Sequence, residues 1–275
     1  MAPGPIPATP HRPGRRFTSF SPTELRAYRS CPERFYRKHI AQEKIPRAFN
    51  RAMLRGSAAH KVLARIFTAR QDGEILELDE RALAEQFLPR FLYQKAAELD
   101  AWEGDIEQVL ELVRTGLAKV PISARVISVE RSYDYVLGTS SRAAGARIVG
   151  KVDLLIRHAE NVYEHIEFKT GGARPDPFQE IICRIGVCAE LNPHGLPVLS
   201  TTYQLSTGAE ACLDGGREVL RNILGEIEET IQQIWNATSW PAREGDGCAY
   251  CDFRETLCSL HGEWSRSNRL ANSDS

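Results

Sequence analysis

Arg147-Ile148-Val149-Gly150-Lys151-Val152-Asp153-Leu154-Leu155-Ile156 and Val162-Tyr163-Glu164-His165-Ile166-Glu167-Phe168-Lys169, joined by the polar run Arg157-His158-Ala159-Glu160-Asn161, read as two strands of one hairpin. Side chains along a strand alternate between faces. Ile148, Val152, Leu154 and Ile156 therefore share one face, and Lys151 and Asp153 lie on the other. In the second strand Val162, Ile166 and Phe168 separate from Tyr163, His165, Glu167 and Lys169. A turn centred near Ala159 and Glu160 sets Asp153 opposite Glu167, where cross-strand Cβ atoms lie about 4.5–5.5 Å apart. Like charges that close repel unless a cation lies between them, and hard carboxylate oxygens suit Mg²⁺ or Mn²⁺. Lys169, on the same face, then holds or deprotonates a water, or stabilises charge growing on a phosphate. Two carboxylates and an ammonium are the minimum set for metal-assisted phosphodiester hydrolysis, although an ordinary sheet with a surface Glu/Lys pair shows the same triplet.

The flanking segments surround this hairpin with helices. Pro22 suits the first turn of a helix capped by Ser21, with Glu24 three residues after the cap. A helix over Ala52–Arg70 buries Leu54, Ala58, Val62, Ile66 and Phe67 and carries His60, a lone histidine of the kind that is more often structural than ligating. Asp79 to Val120 reads as helices grouping Leu83, Phe87, Leu88, Phe91 and Leu92, then Ile106, Val109, Leu110 and Val113. Arg125 to Leu137 is predicted as a strand with Glu130 facing the same way as Ser128, Ser132 and Asp134. Downstream, Phe178, Ile181, Ile182, Ile185 and Cys188 repeat at helical spacing, which places Gln179 and Cys183 together on an adjacent face. The Gln179 amide is then available to orient a phosphate or an attacking water. A strand over Leu196–Leu205 and an amphipathic helix over Val219–Trp235 complete an α/β fold with a mixed central sheet flanked by helices.

The chain has 275 residues, a hydrophobic fraction of 42% and a formal net charge of −1, as expected of a globular protein with a full core. No apolar run reaches membrane-spanning length and no secretory pattern opens the chain, so a cytoplasmic location is expected. The balance hides an asymmetry: residues 1–70 hold 15 Lys/Arg against 3 Asp/Glu, a charge of +12, which leaves −13 for the rest. Arg26, Arg34 and Arg55 interleave there with Tyr28 and Tyr36. Such cations release phosphate counterions, and an exposed ring stacks on a base, so this segment is the candidate nucleic-acid contact. On the opposing reading Tyr28 is a core residue and the charges form a solvated face.

Seven cysteines in a chain expected to stay in a reducing compartment do not suggest a disulfide framework. Cys248-x-x-Cys251 followed by Cys258 is a metal-binding pattern that lacks a local fourth ligand. Four thiolates suit tetrahedral Zn²⁺ as well as a [4Fe–4S] cluster. Cys183, Cys188 and Cys212 read as small buried hydrophobes.

Taken in order, these motifs resemble the RecB-like branch of the PD-(D/E)xK nuclease superfamily, which includes AddB-type and CRISPR-associated exonucleases with an iron–sulfur cluster. Phe17 to Leu25 with Tyr28, Cys31-Pro32 and Phe35-Tyr36 resembles its N-terminal cysteine motif, and Gly56 to His60 its G-x-x-x-H helix. Asp153 and Glu167-Phe168-Lys169 match its catalytic core, Gln179 its Q-x-x-x-Y helix, and Cys248, Cys251 and Cys258 its C-terminal triplet. Val152 stands where the superfamily name has proline, as in the G-x-x-D version of this branch, and Cys183 stands where Q-x-x-x-Y has tyrosine.

The resemblance implies a restriction-endonuclease-like core over residues 17–265, with a helical insert at 71–124. It also implies a cysteine segment at 240–262 closing on Cys31 as the distant cluster ligand, between loose tails at 1–16 and 266–275. It implies catalysis by Asp153, Glu167, Lys169 and Gln179, metal held by His60, Asp153, Glu167 and the Phe168 carbonyl, and a supporting role for Glu130. The imidazole suits Mn²⁺ better than Mg²⁺. The expected substrate is DNA that is single-stranded or has free ends. Because the sequence carries no G-x-x-x-x-G-K-[ST] phosphate loop, unwinding would fall to a helicase or CRISPR adaptation partner. The alternatives are a non-cleaving DNA-binding subunit and a zinc-clipped adaptor.

Overall fold

The computed structural model of the chain describes residues 17–45, 50–74, 78–88, 93, 96–159, 161–171, 177–191, 197–213 and 217–261. Both predicted tails, Phe91, Leu92 and Glu160 lie outside them. The elements run β1 (Ser19–Phe20), α1 (Pro22–Ser30), α2 (Pro32–Phe35), α3 (Arg51–Gln71), α4 (Glu80–Phe87), α5 (Ala96–Lys119) and β2 (Arg125–Val136). Then follow β3 (Arg147–Arg157), β4 (Tyr163–Lys169), α6 (Pro177–Gly186), β5 (Val198–Gln204), β6 (Ala209–Cys212) and α7 (Arg217–Asn236). The strands form one six-stranded mixed sheet in the order β1-β3-β4-β5-β6, with β2 also paired to β3. Pairing is parallel for β1 with β3 and β4 with β5, and antiparallel for β3 with β4 and β5 with β6. This is the α/β architecture expected from the sequence.

Two compact units divide the chain: Met1–Ala48, Val136–Val149 and Val219–Ser275 in one, Phe49–Tyr135 and Gly150–Glu218 in the other. In the first, α1 begins as the sequence predicts. The Ser21 hydroxyl accepts from Glu24 N, the Glu24 carboxylate accepts from Ser21 N, and Pro22 fills the first turn. Its core is aromatic. Trp240 is stacked against Tyr36 and meets Phe35 and Tyr28, while the Trp235 indole N–H donates to Phe17 O at 2.6 Å.

In the second unit, α3 is capped by Asn50, whose side chain accepts from Met53 N. Ala58, Val62 and Phe67 of α3 pack with Ala84 and Leu88 near α4, Ile106, Val109 and Val113 of α5, and Leu154, Ile156, Ile166 and Phe168 of the sheet. Phe67 stacks on Phe168 with centroids 6.2 Å apart and an interplanar angle of 4°. Each of the Val, Leu, Ile and Phe side chains contributes about 1.5–3 kcal/mol on full burial, so the sheet carrying the hairpin is held by helices α3 to α5. Asp105 of α5 is fully buried and accepts from Arg51, Arg55 and the Tyr93 hydroxyl, which ties α5 to α3. Cys183 is buried as predicted. Cys188 and Cys212 are exposed instead: Cys188 lies in the π-helical extension of α6, and Cys212 closes β6, the last strand in the sheet order.

Candidate active site

The β3–β4 ladder pairs Arg157 with Tyr163 and ends at Leu154 with Ile166. One step further sets Asp153 beside Glu167, and the Phe168 N–H donates to Asp153 Oδ2 at 2.9 Å. The register read from the sequence is the register found. Asn161, at φ 58°, makes the turn.

Helix α3 brings His60 to this face, its Nδ1 lying 3.5 Å from Asp153 Oδ2. Gly56 permits that approach. A Cβ on residue 56 would lie 2.4 Å from Thr170 Oγ1, just past the end of β4, so the helix can close on the strand only where that side chain is missing. Gly56 and His60 are one helical turn apart on the same side, and the spacing of the pair is the geometry of that contact.

Glu130 reaches the site by a break in β2. Val126 and Ser128 are buried before it, Tyr133 after it, so the alternation changes phase. Glu130 itself sits at φ 51°. A residue in that left-handed conformation is the signature of a bulge, which bends a strand and re-aims a side chain. The expected common face of Glu130 with Ser132 and Asp134 is therefore corrected: those two fall beyond the phase change and are exposed. The bulge sets one ligand atom each of His60, Glu130 and Asp153 within 4.8 Å of one another. Lys151 forms an ion pair with Glu130. Glu167 lies outside this closest group, bound by the Lys169 ammonium and by Gln179 Nε2 at 3.2 Å.

Electrostatics separate the two central carboxylates. Burial and then the Asp153 charge push Glu167 up to about 7, with Lys169 only partly opposing. Burial also works against ionised Asp153, but the His60 hydrogen bond and charge, the Phe168 N–H and Lys169 outweigh it and hold that carboxyl low. For His60, burial favours the neutral ring, and the Asp153 hydrogen bond with the charges of Asp153, Glu167 and Glu130 outweighs it, raising the imidazole. The rises at Glu167 and His60 reflect negative charge gathered in a poorly solvated place, whereas Asp153 is held low by the cations and donors around it. A divalent cation has a ready set of oxygen and nitrogen donors there.

Cys183, in the place of a tyrosine, is buried with its thiol 3.5 Å from the Tyr133 hydroxyl. Tyr133 fills space that two glycines leave: a Cβ on Gly150 or Gly186 would lie 2.1 or 2.5 Å from its side-chain atoms. Residue 183 therefore faces protein and has no surface to offer a substrate.

The first unit contains the second cluster. Cys31, Cys248, Cys251 and Cys258, all free thiols, line one solvent-open pocket with Arg34, Arg243, Arg254 and His261. The Arg243 N–H donates to Cys31 Sγ at 3.4 Å. Burial raises the Cys258 thiol, the Glu33 and Cys31 charges adding to it.

A profile of the PD-(D/E)XK nuclease superfamily matches residues 19–258. The chain belongs to this superfamily. No curated protein matches it. The solved structure of SSO0001 aligns over 90% of this chain and 88% of its own, at 15% identity and a TM-score of 0.41, a likeness too distant to carry an inference.

In this superfamily member, several of the sequence-predicted nucleic-acid contacts are engaged elsewhere. Tyr28 is 9% exposed and meets Phe35 and Trp240 edge-on, so as a stacking platform it is ruled out by burial. Tyr36 is half-buried with one face on Trp240. Arg55 is spent on Asp105, and Arg34 lines the cysteine pocket. Arg26 is exposed on α1. Glu130, which the resemblance implied as a supporting residue, does lie beside His60 and Asp153; the break that takes it there was not readable, because alternation in β2 carries no mark of the bulge.

Proposed function

We propose that this nuclease is a metal-dependent DNA exonuclease acting on single-stranded or unwound ends. The observation that carries the reading is the convergence of His60, Glu130 and Asp153 beside the Glu167–Lys169 pair. His60, Asp153, Glu130 and Glu167, with the Phe168 carbonyl, would hold the ion. Mn²⁺ or Mg²⁺ bound there supplies Lewis-acid stabilisation of a phosphate and a lowered pKa for its water, the imidazole favouring Mn²⁺. Lys169 positions or activates the nucleophile and meets charge growing on the phosphate. Gln179, fixed by its amide to Glu167, orients the water or a phosphate oxygen.

Four thiolates suit tetrahedral zinc as well as a [4Fe–4S] cluster, and the resemblance to the cluster-bearing branch is what supports the cluster here. Its role in this reading is structural, joining Cys31 to the segment that holds Cys258. No helix among the described residues is long and apolar enough to cross a membrane. A cytoplasmic setting and a helicase or CRISPR adaptation partner belong to the same reading.

The test is incubation of the purified protein with 5′- and 3′-labelled single- and double-stranded DNA under Mn²⁺, Mg²⁺ or chelator. Progressive shortening from ends with Mn²⁺, absent with chelator and absent in Lys169→Ala, is expected. Cleavage retained by Lys169→Ala, or binding with no cleavage under either metal, would overturn the reading. Iron and sulfide in anaerobically purified protein are expected; stoichiometric zinc in their place would sink the cluster.

A further inference from the structure

We propose that Glu33 is the residue that seats Cys258 at the four-thiol pocket, and that it does so before any metal arrives. The proposal rests on reading the four cysteines as a ligand set. Glu33 lies two residues after Cys31, and Ser259 immediately follows Cys258. The Glu33 carboxylate is 2% exposed. It accepts from Ser259 N at 3.1 and 3.2 Å and from the Ser259 hydroxyl at 2.7 Å, across 226 residues of chain. At Oε1 it also accepts from Arg37 Nε at 2.9 Å and from Arg37 Nη2 at 2.6 Å. Its own N–H donates to Pro241 O at 3.3 Å, which leads into the segment of Arg243 and Cys248.

Charge decides what this arrangement does. Arg37 compensates the buried carboxylate, and Glu43 in turn binds the outer edge of Arg37 at 3.0 Å, so the acid is oriented without a metal. Arg37 takes Oε1 with two nitrogens, and Ser259 supplies Oε2 with a backbone and a side-chain donor. Ser259 cannot move away without leaving the acid underbonded in a buried place. Cys258, one peptide away, is fixed with it. The Cys258 N–H also donates to the carbonyl of buried Phe253 at 2.9 Å, which sets its other side. Three of the thiols come from one short segment or its neighbour, and only Cys31 comes from far away in sequence. The lock therefore acts where the ligand set is entropically weakest, at the closure between the ends.

The experiment measures alkylation rates of each cysteine by mass spectrometry in the reduced, metal-stripped full chain. It then follows iron and sulfide uptake on anaerobic reconstitution. Wild type, Glu33→Ala, Glu33→Gln, Ser259→Ala and Leu25→Ala are compared; Ser259→Ala removes a donor of the lock with no change of charge beside Cys258, and Leu25→Ala loosens the same unit through a buried residue away from the lock. Loss of even one charge-assisted hydrogen bond corresponds to about a tenfold change. Cys258 in the Glu33 variants and in Ser259→Ala is expected to react about tenfold faster or more, selectively over Cys248 and Cys251, and cluster content is expected to fall. Leu25→Ala, by contrast, moves all four thiols together. If Glu33→Ala fails to fold by circular dichroism, Glu33→Gln decides. Unchanged Cys258 reactivity, or an equal rise at all four thiols, overturns the proposal. Wild type that takes up neither iron and sulfide nor zinc overturns the ligand-set reading instead, and the alkylation arm still reports on the lock.

Discussion

Glu167→Gln is expected to stabilise the metal-free protein while destroying its activity, and to do so more strongly as the pH rises. The Glu167 carboxyl is pushed up from 4.5 to about 7 by burial and by Asp153, and its side chain is 12% exposed, so solvent does little to soften the effect. A group whose folded pKa is raised contributes stability that is complete below its unfolded pKa and lost as pH rises through its folded one. Wild type therefore loses ground between about pH 4.5 and pH 7. Gln copies the neutral carboxyl and does not titrate. At about 1.36 kcal/mol per unit, the advantage of the variant grows from about 1 kcal/mol at pH 5 to about 3 kcal/mol at pH 8. For a unit of this size that is roughly 6–12 °C in Tm. Scanning calorimetry in EDTA at the two pH values measures it. Mn²⁺ at about 1,000 times its Kd should reverse the order, since that adds about 4.1 kcal/mol and wild type has the better site. A difference that does not change with pH, or a variant less stable than wild type at pH 8, would refute the account of Glu167 as a carboxylate held under electrostatic strain.

Three further outcomes follow from the geometry. Gly56→Ala puts a Cβ 2.4 Å from Thr170 Oγ1, so α3 must retreat from β4. A shift of about 1 Å in His60 is expected to lower kcat roughly 10²-fold, and adding Thr170→Ala should restore most of it in a cleavage assay. Lys151→Met removes the cation that pairs with Glu130 and competes with metal for it. An exposed pair of this kind is worth roughly 0.2–1 kcal/mol, so calorimetry should show Mn²⁺ binding up to about fivefold tighter, and weaker binding would mean that Lys151 holds Glu130 in place. Asp105→Asn leaves Arg51 and Arg55 without their buried partner. Because both guanidiniums keep contact with solvent, it should cost about 1–3 kcal/mol in chemical denaturation.

The hairpin was legible because strand alternation and turn position together fix a register, and Asp153 opposite Glu167 follows from counting alone. The capping box at Ser21 and Glu24 was legible for a similar reason: it is local, and its hydrogen bonds need only residues three apart. Glu130 was legible only as a supporting residue implied by the family resemblance. Its placement depends on one backbone torsion in β2, and nothing in Arg125 to Val136 distinguishes a bulged strand from a regular one. Tyr28 failed as a base-stacking candidate because its surroundings, Phe35 and Trp240, include a residue 212 positions away, and composition cannot report such a neighbour. Glu33 was invisible for the same reason, since its partner Ser259 lies at the far end of the chain.

The features that make the site poor at folding are the ones that make it a place for a cation. Glu130 is held at a positive φ, at a cost of order 1–3 kcal/mol. Glu167 sits beside ionised Asp153, and His60 is drawn toward protonation by three carboxylates. The α3 and α5 side chains packed beneath β3 and β4 offset these costs, Phe67 against Phe168 among them. One divalent ion would relieve the carboxylate repulsion and leave His60 neutral in the same event. Metal affinity and metal-free instability are then two measurements of one free energy, and substitutions on this face should trade one against the other. Glu130→Gln should weaken Mn²⁺ binding and stabilise the metal-free protein together, whereas a residue of purely structural importance, such as Asp105, should lower stability with no such exchange.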